Sequence, residues 1–121
     1  MTMPFDRSEL EPFRCELEPQ RDVVHIRPVG ELDMAAVPVV GAQLDELAAA
    51  GFVHLVLDLR EVSFLDSSGL RLILTWHAKA RIDGMAFELL PGPAPVQRMF
   101  DVTGVADRLR FAGAGPMQAV G

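Results

Sequence analysis

Apolar residues along the chain recur with two different spacings. Phe13, Cys15 and Leu17 alternate with Arg14 and Glu16, the period of a half-buried strand, and residues 23–29 form a second strand with Pro28 near its end. Glu18-Pro19-Gln20-Arg21 reads as the turn between them, which makes the pair an antiparallel hairpin. Residues 53–59 carry a denser apolar run (Val53, Leu55, Val56, Leu57, Leu59), as expected of a strand covered on both faces. Residues 85–90 predict another short strand, and residues 109–111 a last edge strand. Helical spacing begins at 35–50, where Val37, Val40, Leu44, Leu47 and Ala48 share one face. Asp33 is placed to cap that helix, Pro38 falls in its first turn, and Gly51 closes it. A second helix spans 67–82, with Leu70, Ile73, Leu74 and Ala78 as its inward stripe and Asp83-Gly84 as its end. A brief third helix, 94–101, has Pro95 in its first turn and Val96, Met99 and Phe100 facing inward.

Strands alternating with helices predict an α/β fold: a mostly parallel sheet of about four to five strands, one antiparallel edge strand and about three helices. Sites in such sheets form where strand C-termini meet helix N-termini. Two stretches qualify, Gly30-Glu31-Leu32-Asp33 and Asp66-Ser67-Ser68-Gly69, the second preceded by the short apolar pair Phe64 and Leu65. Side by side, they would gather Asp33, Asp66 and Ser67 into one polar cluster.

At 121 residues the chain is expected to be one domain over 13–111, with an acidic lead-in (1–12) and a Gly/Ala-rich tail (112–121). No segment approaches the roughly 18 unbroken apolar residues of a membrane span, and the first dozen residues lack the apolar core of a signal peptide. The single cysteine, Cys15, has no internal partner and suits a reducing cytoplasm, where it is expected to be a small core residue. A net charge of −6, with Lys79 the only lysine, argues against a nucleic-acid surface and for a protein partner.

The polar cluster has three readings. For hydrolysis the partners are missing: His25, His54 and His77 lie far from both loops in sequence, and neither a G-x-S-x-G elbow nor a phosphate loop with a lysine is present. The histidine and carboxylate spacings match no metal set, and no cofactor is expected. A serine at a helix start otherwise either caps the helix or receives a phosphate, and Asp66 can do the capping alone. Spacing leaves both open. Leu72 and Trp76, four apart and off the inward stripe, read either as a surface patch for a partner or as residues covered by a neighbouring helix or the tail.

The run LVLDLREVSFLDSSGLRLIL, with GELD about thirty residues upstream, resembles the STAS domain of bacterial anti-sigma factor antagonists. The likeness extends from about Phe13 to Phe111 and is most specific at D-S-S-G-L. It implies a non-enzymatic protein that binds an anti-sigma factor, itself a serine kinase, and so frees a sigma factor. It further implies phosphorylation of Ser67, with Ser68 as the lesser alternative, and a separate serine phosphatase that reverses it. Gly30, Glu31, Asp33, Asp66, Ser68, Gly69, Leu70, Arg71, Leu72 and Trp76 would then surround the phosphosite and dock the partner. Arg71 departs from the usual small residue there and reads as a pair for the phosphate or a partner acid, or as a solvated helix residue. The region after 111 is short for the family. A monomer or weak dimer is expected. The resemblance also allows a non-switching scaffold in a signalling assembly, or an accessory subunit of a lipid-transport ATPase.

Overall fold

The computed structural model describes residues 12–112, so residues 1–11 of the expected lead-in and 113–121 of the tail lie outside it. Strands β1 (Arg14–Gln20) and β2 (Val23–Leu32) form the antiparallel hairpin, with Gln20 opposite Val23. The turn is therefore shorter than expected: β1 runs through Glu18-Pro19-Gln20, and Arg21-Asp22 alone reverse the chain. Arg21 supplies the turn's positive φ of 64°. Leu17, expected inward, is 42% exposed. Cys15 is half-buried against the core, and burial, then the Glu16 charge, pushes its thiol up to about 11.

Helix α1 (Val37–Ala49) buries Val40 and Leu44 and starts two residues later than expected. Its N-cap is Ala36, without a side-chain bond, because Asp33 is spent on the preceding turn. The Asp33 carboxylate accepts from the amides of Ala35 (3.1 Å) and Ala36 (3.0 Å). Gly51 follows with φ 100°.

Strand β3 (His54–Asp58) pairs in parallel with the first half of β2, and β4 (Val62–Leu65) pairs in parallel with its last three residues. The periodicity had not shown β4 as a strand. The ten-residue β2 is thus flanked on one side by two successive short strands, with a register shift at Gly30/Glu31, where Gly30 has φ 120°. Strand β5 (Ala86–Leu90) completes the order β1-β2-β3-β5, with β4 on β2. The sheet is mixed and five-stranded, parallel except for β1–β2. Beyond α3 (Ala94–Thr103), which buries Val96 and Phe100, and a short 3-10 turn (Ala106–Arg108), the expected last strand reduces to one bridge, Leu89 to Phe111.

One sheet face, carrying Val24, Ile26, Leu55, Leu57, Phe87 and Leu89, packs on the helices. Helix α2 (Ser67–Asp83) buries Gly69, Leu70, Ile73, Trp76 and Ala80. Its inward stripe is rotated from the expected one: Ala78 is exposed and Trp76 lies in the core, 3% exposed, with its ring 6.0 Å from that of Phe87.

The turn from β3 into β4 is pinned by a buried carboxylate. Asp58 Oδ1 accepts from the Arg60 amide (3.0 Å) and Nε (2.9 Å), and Oδ2 from Arg60 Nη2 (2.8 Å) and Arg27 Nε (2.9 Å). Burial pushes the Asp58 carboxyl up, but the hydrogen bonds from Arg60 and Arg27 outweigh it and hold the group well below the usual carboxylate range.

Candidate functional site

Leu32 and Leu65 are register partners at the ends of β2 and β4, so the loops beginning at Asp33 and Asp66 leave the sheet side by side. Contact is close: the Asp66 amide donates to the Leu32 carbonyl at 3.4 Å. Helix α2 then starts against the same carbonyl. A Cβ at Gly69 would sit 2.5 Å from Leu32 O and 2.6 Å from Leu65 Cδ1, so only glycine lets the helix approach β2 this nearly.

The first turn of α2 is capped by Asp66, whose Oδ1 accepts from the Gly69 amide at 3.0 Å. This frees Ser67. It is the first helical residue, its side is exposed, and among the described residues its hydroxyl makes no hydrogen bond. Ser68 is half-buried. Ser67, Ser68, Arg71 and Leu72 line an open groove of about 460 Å³ whose opposite wall is Met34, Val37 and Pro38 from the entry to α1. Thr75 closes its far end. Leu72 is half-buried and reaches Gly41 of α1, where a Cβ would stand 3.6 Å from its Cδ1.

Not every residue of the expected cluster is at this groove. Asp33 shares its backbone neighbourhood but lines a separate groove with Gly30, Glu31 and Phe13. Gly69 and Leu70 are buried and shape the helix start by packing. Trp76 is a correction: core burial removes it from any surface patch, and the apolar surface beside Ser67 comes instead from Met34, 74% exposed, with Val37 and Leu72. Nothing in the spacing marks Met34 for that wall, which depends on how α1 approaches α2. Arg71 is exposed on the groove's rim and forms no ion pair among the described residues. The described residues contain no group of three or more His, Cys, Asp or Glu placed to hold a metal, and no helix long and apolar enough to cross a membrane.

Residues 14–111 match the family described as "Mlab, STAS domain". The chain belongs to the STAS-domain family. Among relatives of this STAS domain, an anti-sigma F factor antagonist from Paenibacillus polymyxa is 34% identical over 94 residues, covering 77% of this chain and 80% of that one. The anti-sigma factor antagonist SpoIIAA, solved in its unphosphorylated form, matches with a TM-score of 0.67 and 27% identity, covering 85% of this chain and 90% of that one. The Bacillus cell fate determinant SpoIIAA in its phosphorylated form matches with a TM-score of 0.63 and 26% identity, over 85% and 93% of the two chains. The five-stranded sheet with three helices is the fold that the two SpoIIAA structures share with this STAS domain.

Proposed function

We propose that this STAS domain, residues 13–111, is a cytoplasmic anti-sigma factor antagonist without catalysis of its own, switched by phosphorylation at Ser67. Unphosphorylated, it binds a serine-kinase anti-sigma factor through the Met34–Leu72 groove, the Gly30–Asp33 loop and the exposed start of α2. That binding releases a sigma factor. A phosphate on Ser67 ends it, and a serine phosphatase restores it.

The observation that carries this reading is the division of labour between two adjacent residues. Asp66 caps the Gly69 amide, while the Ser67 hydroxyl is exposed and has no hydrogen bond to give up among the described residues. A phosphoserine carries about −1.5 to −2 charges. At about 6 Å and an effective dielectric of 20 to 80, it repels a neighbouring carboxylate by roughly 1–5 kcal/mol. The helix terminus returns only about 0.3–2 kcal/mol. The apolar groove also lies under the same residue, so a hydrated dianion at its rim opposes a dry contact. Every ~1.4 kcal/mol is tenfold in affinity, so one phosphate suffices to end binding without refolding the domain.

The test is intact mass spectrometry of the chain incubated with ATP and its cognate anti-sigma kinase. A single phosphate added to the native chain and absent from Ser67→Ala supports the switch. A phosphate that persists in Ser67→Ala moves the switch to another residue, Ser68 first. No transfer at all leaves the non-switching roles, scaffold or transporter subunit, as the better reading.

A further inference from the structure

The outer edge of β5 carries a second cluster, distinct from the serine groove. His77 and Arg81, from the second half of α2, and Arg108 and Arg110, from the chain after α3, line an open pocket of about 320 Å³. Met85 and Phe87 contribute to its wall. Two separate elements thus bring three guanidinium groups together, in a chain with only 11 lysines and arginines and a net charge of −6.

Their charge is poorly answered from within. Among the described residues, Arg81 and Arg108 have no carboxylate within ion-pair distance. Arg110 Nη1 reaches Glu88 Oε2 only at 4.0 Å, and Glu88 gives its other oxygen to His54 Nε2 at 3.0 Å. Burial, then Arg81, Arg108 and Arg110, hold the half-buried His77 below the ordinary imidazole range. The backbone adds a donor. The Ala86 amide points to β3 (Val53 O, 2.8 Å) and the Leu89 amide points outward, to Arg110 O at 2.9 Å. The alternation of a parallel ladder puts the Phe87 amide on that same outer side, where it faces the pocket.

We propose that this pocket binds a tetrahedral phosphate-type dianion through Arg81, Arg108, Arg110, the His77 ring and the Phe87 amide. A single carboxylate engages one guanidinium in a planar fork, whereas donors converging from two elements and a strand edge suit a tetrahedral group with three or four oxygens. The site is independent of Ser67. His77 stands ten residues further along α2, about 15 Å of helix, beyond a Debye length of about 8 Å.

Inorganic phosphate is the probe, titrated above neutral pH at constant ionic strength while backbone amide resonances are followed by NMR. Saturable shifts centred on Phe87, Arg108 and Arg110 are expected, and the same titration of Arg108→Gln/Arg110→Gln should show affinity at least about tenfold weaker with an unchanged urea midpoint. In sulfate, the His77 ring should titrate at higher pH than in chloride of equal ionic strength, because a bound dianion offsets the three arginines that face it, while Glu88 stays with His54. Sedimentation with phosphatidate vesicles separates the two sources. Co-sedimentation lost in the double variant assigns a lipid headgroup; saturable binding in solution without co-sedimentation assigns a free phosphate compound. Shifts that rise linearly and scatter over the surface overturn the proposal, as does saturable binding that survives the double substitution.

Discussion

Asp66 and Ser67 are neighbours in sequence with opposite structural duties. Asp66→Ala removes the cap on the Gly69 amide and should cost about 0.5–2 kcal/mol in urea denaturation, whereas Ser67→Ala should stay within about 0.5 kcal/mol of the native chain. The reverse ranking would make Ser67 the cap. Gly69→Ala forces a methyl onto the Leu32 carbonyl and the Leu65 side chain, so β2, β4 or α2 must move, and a loss of about 1–3 kcal/mol is expected. Asp58 tests the ion network. Its folded-state value lies below that of the unfolded chain, so its contribution is complete above the ordinary carboxylate value of about 4 and is lost as pH falls from there toward the depressed folded value. Asp58→Asn should therefore cost about 2–3 kcal/mol at neutral pH, and the gap between variant and native chain should shrink on acidification below about pH 4.

At the scale of elements, α2 decides the geometry of the site, and its orientation was only partly legible. The run Leu72-Ile73-Leu74 fits more than one helical face, and extending it by fours to Ala78 placed Trp76 outside. The packed face instead follows Gly69, Ile73, Trp76 and Ala80, because Gly69 must meet β2 and Trp76 must meet Phe87. Glycine carries no hydrophobic signal, so the pattern could not weigh it. The fluorescence of Trp76 should accordingly be blue in the free protein and unmoved by partner binding; a red emission that shifts on binding would contradict the core position. Strand β4 was invisible for another reason: only Val62 and Leu65 of its four residues are buried, while Phe64 is 48% exposed, so no period of two survives. By contrast, β3 and the β1–β2 pairing were legible from the dense run at 53–59 and the alternation at 13–17. The hairpin turn was displaced because the pattern has no sign of a non-glycine residue at positive φ; Arg21→Gly should stabilise the protein by up to about 1 kcal/mol in thermal unfolding.

At the scale of the molecule, the adjacency of the two loops at one end of the sheet was readable because parallel topology gathers strand C-termini there. The pairing of Leu32 with Leu65 is what makes them adjacent. The Asp58 network holds the β3–β4 turn, β4 holds Leu65 beside Leu32, and Gly69 lets α2 start on that platform with Ser67 at its exposed corner. The groove wall from Met34, Val37 and Pro38 was not legible, since it depends on how α1 approaches α2. The central claim is that charge at this corner ends binding while the fold stays intact. The most direct measurement is the affinity of the cognate anti-sigma factor for Ser67→Asp set against Ser67→Ala, with both variants checked for unchanged urea midpoints. At least about tenfold weaker binding by Ser67→Asp, with Ser67→Ala near the native value, is the expected result. Equal affinity of the two variants would contradict it.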